Sequence, residues 1–122
     1  MASEGLHERF DDLTPETRDR HRAIVSLMEE LEAVDWYQQR VDGASDPELK
    51  EILAHNRDEE IEHAAMVLEW LRRRVPKFDE ELGTYLNSEG KIVAAEEAAT
   101  GGGGGGKADT PTGSLGIGSL KE

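Results

Sequence analysis

The sequence predicts an all-α fold: an antiparallel two-helix hairpin, half of a four-helix bundle completed by dimerisation, followed by a short C-terminal helix and a disordered tail. Three observations carry this. Two long stretches place aliphatic residues at three- and four-residue intervals, each opened by a helix-start signal, and only Asp42–Ser45 separate them. Of the 122 residues 36% are hydrophobic, with two each of Phe, Trp and Tyr, too little for a deep core in one chain, so self-association is expected. Six consecutive glycines, Gly101–Gly106, then end the part that could pack.

Residues 1–13 read as a disordered N-terminus. Thr14-Pro15-Glu16 supplies a hydroxyl cap, a proline at the first helical position and an acid in the first turn. From there Ile24, Leu27, Met28, Leu31, Val34 and Val41 form one apolar face of a helix of roughly 27 residues, about 40 Å long, ending at Asp42-Gly43. Asp46-Pro47-Glu48 repeats the start signal for a second helix that runs to Arg74, where Val75-Pro76 stops it and Arg72, Arg73 and Arg74 suit its C-terminal dipole. The short connection makes the two helices antiparallel neighbours. Asp79 is expected to cap a third helix to about Leu86, and Ile92–Ala98 is weakly helical, so the helical domain covers residues 14–99. Residues 100–113 form a glycine-rich linker. In residues 114–122, Leu115, Ile117 and Leu120 alternate with Gly116, Gly118 and Ser119, a pattern that suits an extended peptide in a groove and equally a fraying terminus.

The chain has no cysteine, which excludes disulfides, iron–sulfur clusters and thiolate zinc sites and fits an intracellular, cytoplasmic protein. No apolar run approaches the roughly 18–20 residues that span a membrane. Net charge is −13, and Lys107 and Lys121 balance Asp109 and Glu122, so all of it lies in residues 1–99. Such a body repels nucleic acid and attracts cations.

The chemistry concentrates at Glu60-Ile61-Glu62-His63. At 100° per residue Glu60 points the same way as Leu49, Leu53, Val67 and Leu71, with His63 on the same face. A carboxylate on an apolar stripe is costly unless a positive charge compensates it, and a metal ion would do so. Glu-x-x-His at this spacing is part of the ligand set of di-iron helical bundles. Helix one adds Glu30, on the shoulder of its apolar stripe beside Val34 and Tyr37. Two carboxylates and one imidazole are half a di-iron site, and a two-fold axis doubles them. The alternative is a salt-bridged polar seam that sets dimer register, a reading Asn56 on the same stripe slightly favours. Glu29, Glu32 and Trp36 lie on the opposite shoulder as an outer cation site or a solvated acidic face. Tyr37 is a hydrogen-bonding neighbour of the site or a packing residue. His21 and His55 read as surface histidines.

The stretch His21-Arg22-Ala23-Ile24 through Met28-Glu29-Glu30-Leu31-Glu32-Ala33-Val34-Asp35-Trp36-Tyr37 resembles the encapsulated ferritins of bacteria. So does Ile52-Leu53-Ala54-His55-Asn56-Arg57-Asp58-Glu59-Glu60 through His63-Ala64-Ala65-Met66 to Arg73, the likeness covering roughly residues 18–100. Gly113-Ser114-Leu115-Gly116-Ile117-Gly118-Ser119-Leu120 is similar to the cargo-loading peptides that bind the inner wall of encapsulin shells. The resemblance implies a ferroxidase built from a ferritin-like hairpin, dimerised to complete a di-iron centre, assembled as a ring-shaped decamer, and serving iron storage inside an encapsulin nanocompartment. It implies Glu30, Glu60 and His63 as ligands for two irons per interface, Glu29, Glu32 and Trp36 as an outer uptake site for iron, calcium or another divalent cation, and Tyr37 beside the centre. Two other functions fit the residues: a rubrerythrin-like di-iron peroxidase, and a non-enzymatic helical adaptor whose polar seam is structural.

Overall fold

The computed structural model describes residues 5–101, which are helical throughout apart from short connections. Residues 1–4, most of the glycine-rich linker expected over 100–113 and the whole peptide expected over 114–122 lie outside the described residues. Four helices follow in order: α1 Pro15–Gly43, α2 Pro47–Arg74, α3 Pro76–Tyr85 and α4 Ile92–Glu96. Two compact units divide the chain, one ending at Leu71 and one beginning at Arg72.

Both long helices start as their capping residues dictate. The Thr14 hydroxyl accepts from the Thr17 amide at 3.1 Å, with Pro15 at the first helical position. Asp46 Oδ2 accepts from the Leu49 amide at 2.8 Å. Between the helices Lys50 Nζ reaches back 2.7 Å to the carbonyl of Val41, one of the carbonyls that the end of α1 leaves without an intrahelical partner. Further from the turn, Arg57 Nη1 donates to Gln38 Oε1 at 2.8 Å. As the number falls from 41 to 38 along α1, its partner's number rises from 50 to 57 along α2, the signature of an antiparallel pair.

In place of an irregular lead-in, Phe10–Asp12 wind into a 3-10 turn held against the start of α1. Arg18 Nε and Nη2 both donate to the Phe10 carbonyl, at 3.1 and 2.9 Å, and the guanidinium stacks on the Phe10 ring at 4.0 Å. A cation one turn inside α1 thereby organises residues that carry no helical pattern of their own.

The apolar stripes are only partly covered within one chain. Among the described residues Ala64 and Leu71 are the buried apolar side chains, while Leu31, Ile52, Ile61 and Met66 remain at least half exposed. Two buried side chains cannot offset the conformational entropy of ordering a hairpin of this length, at about 1–2 kcal/mol of backbone entropy per residue. No helix among the described residues is long and apolar enough to cross a membrane.

In the second unit, α3 begins at Pro76, with Val75 as its extended N-cap and no side-chain cap. Asp79, expected as the cap, lies inside the first turn and is paired with Arg72. The proline settles the start, because its fixed φ and missing amide suit the first helical position better than a cap three residues on. Asn87 (φ 64°) and Gly90 (φ 81°) turn the chain toward α4, and a π-turn, Glu97–Gly101, follows with the Thr100 hydroxyl donating to the Glu96 carbonyl at 2.8 Å.

Candidate metal centre

Across the hairpin, Glu60 and His63 of α2 stand within electrostatic reach of Glu30 of α1. On α2 the spacing of three residues places Glu60 Oε1 3.5 Å from His63 Nδ1, with the glutamate side chain 26% and the histidine 42% exposed. Across the helix pair both act on the carboxyl of Glu30. That carboxyl is the most perturbed feature of the hairpin. Its Oε1 is fully buried and has no hydrogen-bond partner. Burial pushes its pKa up from the usual carboxylate value; the neighbouring Glu60 pushes in the same direction, His63 opposes, and Glu29 adds a smaller upward push.

A buried oxygen without a donor costs free energy in the empty protein and gains most from a cation that supplies what is missing. The donor set of two carboxylates and an imidazole suits iron or manganese, and no soft thiolate is present to prefer copper. Within a single chain the set is incomplete: among the described residues no three His, Asp or Glu side chains stand close enough together to hold an ion.

Glu29, Glu32 and Trp36 follow one another along α1, Glu29 exposed, Glu32 half-buried and Trp36 47% exposed. Trp36 lines an open depression together with Gln39 and Arg40. Tyr37 is half-buried, and its ring lies 5.2 Å beneath the guanidinium of Arg40, three residues on along α1. His55 is exposed and faces Glu59 at 3.5 Å.

In the sequence Arg57 stands out only as part of the string that resembles the encapsulated ferritins. It stands one turn before Glu60, and its guanidinium is turned to Gln38 of α1 and to Asp58, at 3.0 Å, leaving His63 as the ion-pair neighbour of Glu60 among the described residues. The three-residue spacing to Glu60 was visible in the sequence. Its pairing with Gln38 required the register of the two helices.

An α-helical hairpin with an underfilled apolar face, a glutamate–histidine pair on one helix and a buried glutamate oxygen on the other is the class this fold and site define. The chain belongs to the EncFtn-like family, whose sequence profile matches residues 5–89. It is 62% identical, over 99% of its own length and 91% of the relative's, to the encapsulated ferritin-like protein of Rhodospirillum rubrum. It is 54% identical, over 74% of its length and 79% of the relative's, to the ferritin-like protein of Thermotoga maritima. The crystal structure of protein ne0167 from Nitrosomonas europaea superposes with a TM-score of 0.71 at 62% identity, covering 73% of this chain and 98% of that one.

Proposed function

We propose that this protein is a ferroxidase that oxidises Fe(II) to Fe(III) at a di-iron site shared by two copies of the chain and delivers the product for storage inside an encapsulin compartment. The observation that carries the reading is the carboxyl of Glu30, which has a buried, unpartnered oxygen and a raised pKa and stands beside Glu60 and His63. One chain offers two carboxylates and one imidazole; a second copy, seated on the uncovered apolar stripes, doubles the set to four and two.

Each residue has a role. Glu30 and Glu60 hold Fe(II) through anionic oxygens, which favour Fe(III) over Fe(II) and so lower the potential for electron loss. His63 adds a neutral imidazole donor and frees Glu60 from its intrahelical contact when it does so. Two Fe(II) ions give the two electrons that reduce hydrogen peroxide and two protons to two waters; with O₂ as the oxidant, four Fe(II), two from each of two centres, reduce one O₂ and four protons to two waters. The exposed Glu29, with Glu32 and Trp36, forms the outer uptake site, and Tyr37 packs beside the centre with Arg40 on its ring.

The tail serves location. The match to the Rhodospirillum rubrum relative spans 99% of this chain, and that relative is encapsulated by name. Leu115–Leu120 is the shell-docking peptide in this reading. Several copies of the tail on one oligomer strengthen a weak contact through effective concentration.

The test is anaerobic Fe(II) loading followed by air or peroxide, comparing wild type with Glu60→Ala and following both Fe(III) absorbance and oligomeric mass. The expected result is about one Fe(II) bound per chain, fast oxidation in the wild type and only the buffer rate in the variant. Equal slow rates would leave Glu30, Glu60 and His63 as a register-setting seam. Deleting residues 114–122 is expected to leave iron oxidation unchanged and to abolish co-purification with the shell protein.

A further inference from the structure

Glu30 on α1 and Glu60 on α2 bring like charges together across the helix pair, and His63, 3.5 Å from Glu60, is the group that opposes this at Glu30 among the described residues. The nearest covalent restraint is the connection at residues 44–46, about four turns from Glu60. Between the two lies Arg57, one turn from Glu60, with its side chain 25% exposed and Nη1 2.8 Å from Gln38 Oε1 on the opposite helix. Both partners are themselves anchored. Asp58 Oδ1 accepts from Arg57 Nε at 3.0 Å, and Gln38 Nε2 donates to Asp42 Oδ1 at 3.1 Å. The result is a chain of hydrogen bonds, Asp58–Arg57–Gln38–Asp42, that crosses from α2 to α1.

We propose that Arg57 is a positioning residue for the metal centre: through Gln38 it holds α2 in register with α1, so that Glu60 and His63 stand opposite Glu30 before any metal arrives. This rests on Glu30, Glu60 and His63 being the iron ligands. A guanidinium suits the task because its planar fork bonds Gln38 and Asp58 at once and is always charged. Sliding one helix by a single turn, about 5.4 Å, would separate the ligands entirely, and fraying by a fraction of that would spread them. Fe(II) would then have to bring the helices together itself, which lowers its apparent affinity without changing the ligands that receive it.

The experiment is a double-mutant cycle of Arg57→Ala and Gln38→Ala with Arg57→Lys as the conservative variant. It reads the half-saturating Fe(II) concentration under anaerobic conditions, the oxidation rate at saturation, the oligomeric mass, and amide hydrogen exchange across residues 57–63 in metal-free protein. Each single variant is expected to raise the half-saturating concentration about three- to tenfold, the effect of losing one ordinary net hydrogen bond at a solvent-exposed site. The saturating rate is expected to change less than the half-saturating concentration, and the oligomeric mass to stay the same. The double variant is expected to match the singles, and Arg57→Lys, which keeps a donor within reach of Gln38, to recover part of the loss. Metal-free exchange is expected to rise equally in both singles.

Additive effects in the double variant would overturn the proposal, because Arg57 would then act other than through Gln38. An unchanged half-saturating concentration, or a parallel loss of oligomeric mass, would overturn it as well. If the wild type binds no iron, the ferroxidase reading fails by itself. The exchange measurement still decides the clasp, which is refuted if both variants exchange as the wild type does.

Discussion

Replacing Glu30 by Gln separates the stability of the empty protein from its capacity to hold a metal. Glu30 Oε1 is buried without a partner, and its pKa is raised chiefly by burial and next by Glu60. An unsatisfied buried polar group costs about 1–3 kcal/mol, more when charged. Glutamine retains the unpartnered oxygen, so only the extra cost of the charge is relieved, and with the side chain half-buried solvent screening brings that to about 1 kcal/mol per chain. Glutamine keeps the shape and removes the charge. The sign follows from proton counting: above pH 4.5 the folded state holds its Glu30 proton more tightly than the unfolded chain, so this residue's penalty grows as pH rises. It is fully present above the folded-state pKa and vanishes below 4.5, where both states are protonated. Metal-free Glu30→Gln is therefore expected to melt about 4–8 °C higher than wild type at neutral pH and at the same temperature near pH 4. Thermal melts in a chelator, at one protein concentration because self-association is linked to folding, make the comparison. Adding Fe(II) anaerobically is expected to raise the melting temperature of the wild type and leave the variant nearly unmoved. A variant that melts at or below the wild-type temperature at pH 7 without metal would refute the claim that Glu30 is held at a cost.

Other substitutions test the frame that positions this residue. Leu71, with no exposed surface, anchors the end of the first unit, and Leu71→Ala is expected to cost about 2–5 kcal/mol by chemical denaturation. Asp46→Ala removes the acceptor for the Leu49 amide at the start of α2 and is expected to cost about 1 kcal/mol, read in the same denaturation curves. Arg18→Ala releases the Phe10 carbonyl and ring, and the expected readout is faster amide exchange over residues 10–13 with the melting temperature shifted little.

Much of the hairpin was legible because the signals involved are local. Thr14-Pro15 and Asp46-Pro47 mark helix starts whatever the rest of the chain does, and both starts lie where those residues put them. The stop at Val75-Pro76 is equally local. Where two local signals competed, at the start of α3, the proline at position 76 prevailed over the carboxylate of Asp79, which found Arg72 instead. The 3-10 turn at Phe10–Asp12 was not legible, because its cause is the side chain of Arg18, eight residues away.

The same division runs through the site. Helical periodicity alone puts Glu60 and His63 on one face and sets them against the apolar residues of that stripe, since 100° per residue needs no partner helix. It also places Glu30 on the shoulder of its own stripe. What only the folded hairpin decided is that Glu30's oxygen is buried without a donor, that Glu60 and His63 both act on it, and that Arg57 meets Gln38 rather than Glu60. These depend on the axial register of two antiparallel helices. That register is set by a three-residue connection, by Lys50 on the Val41 carbonyl and by side chains reaching across the seam. A linear sequence states which residues share a helix face; only the packed pair states which of them face each other and what they lack.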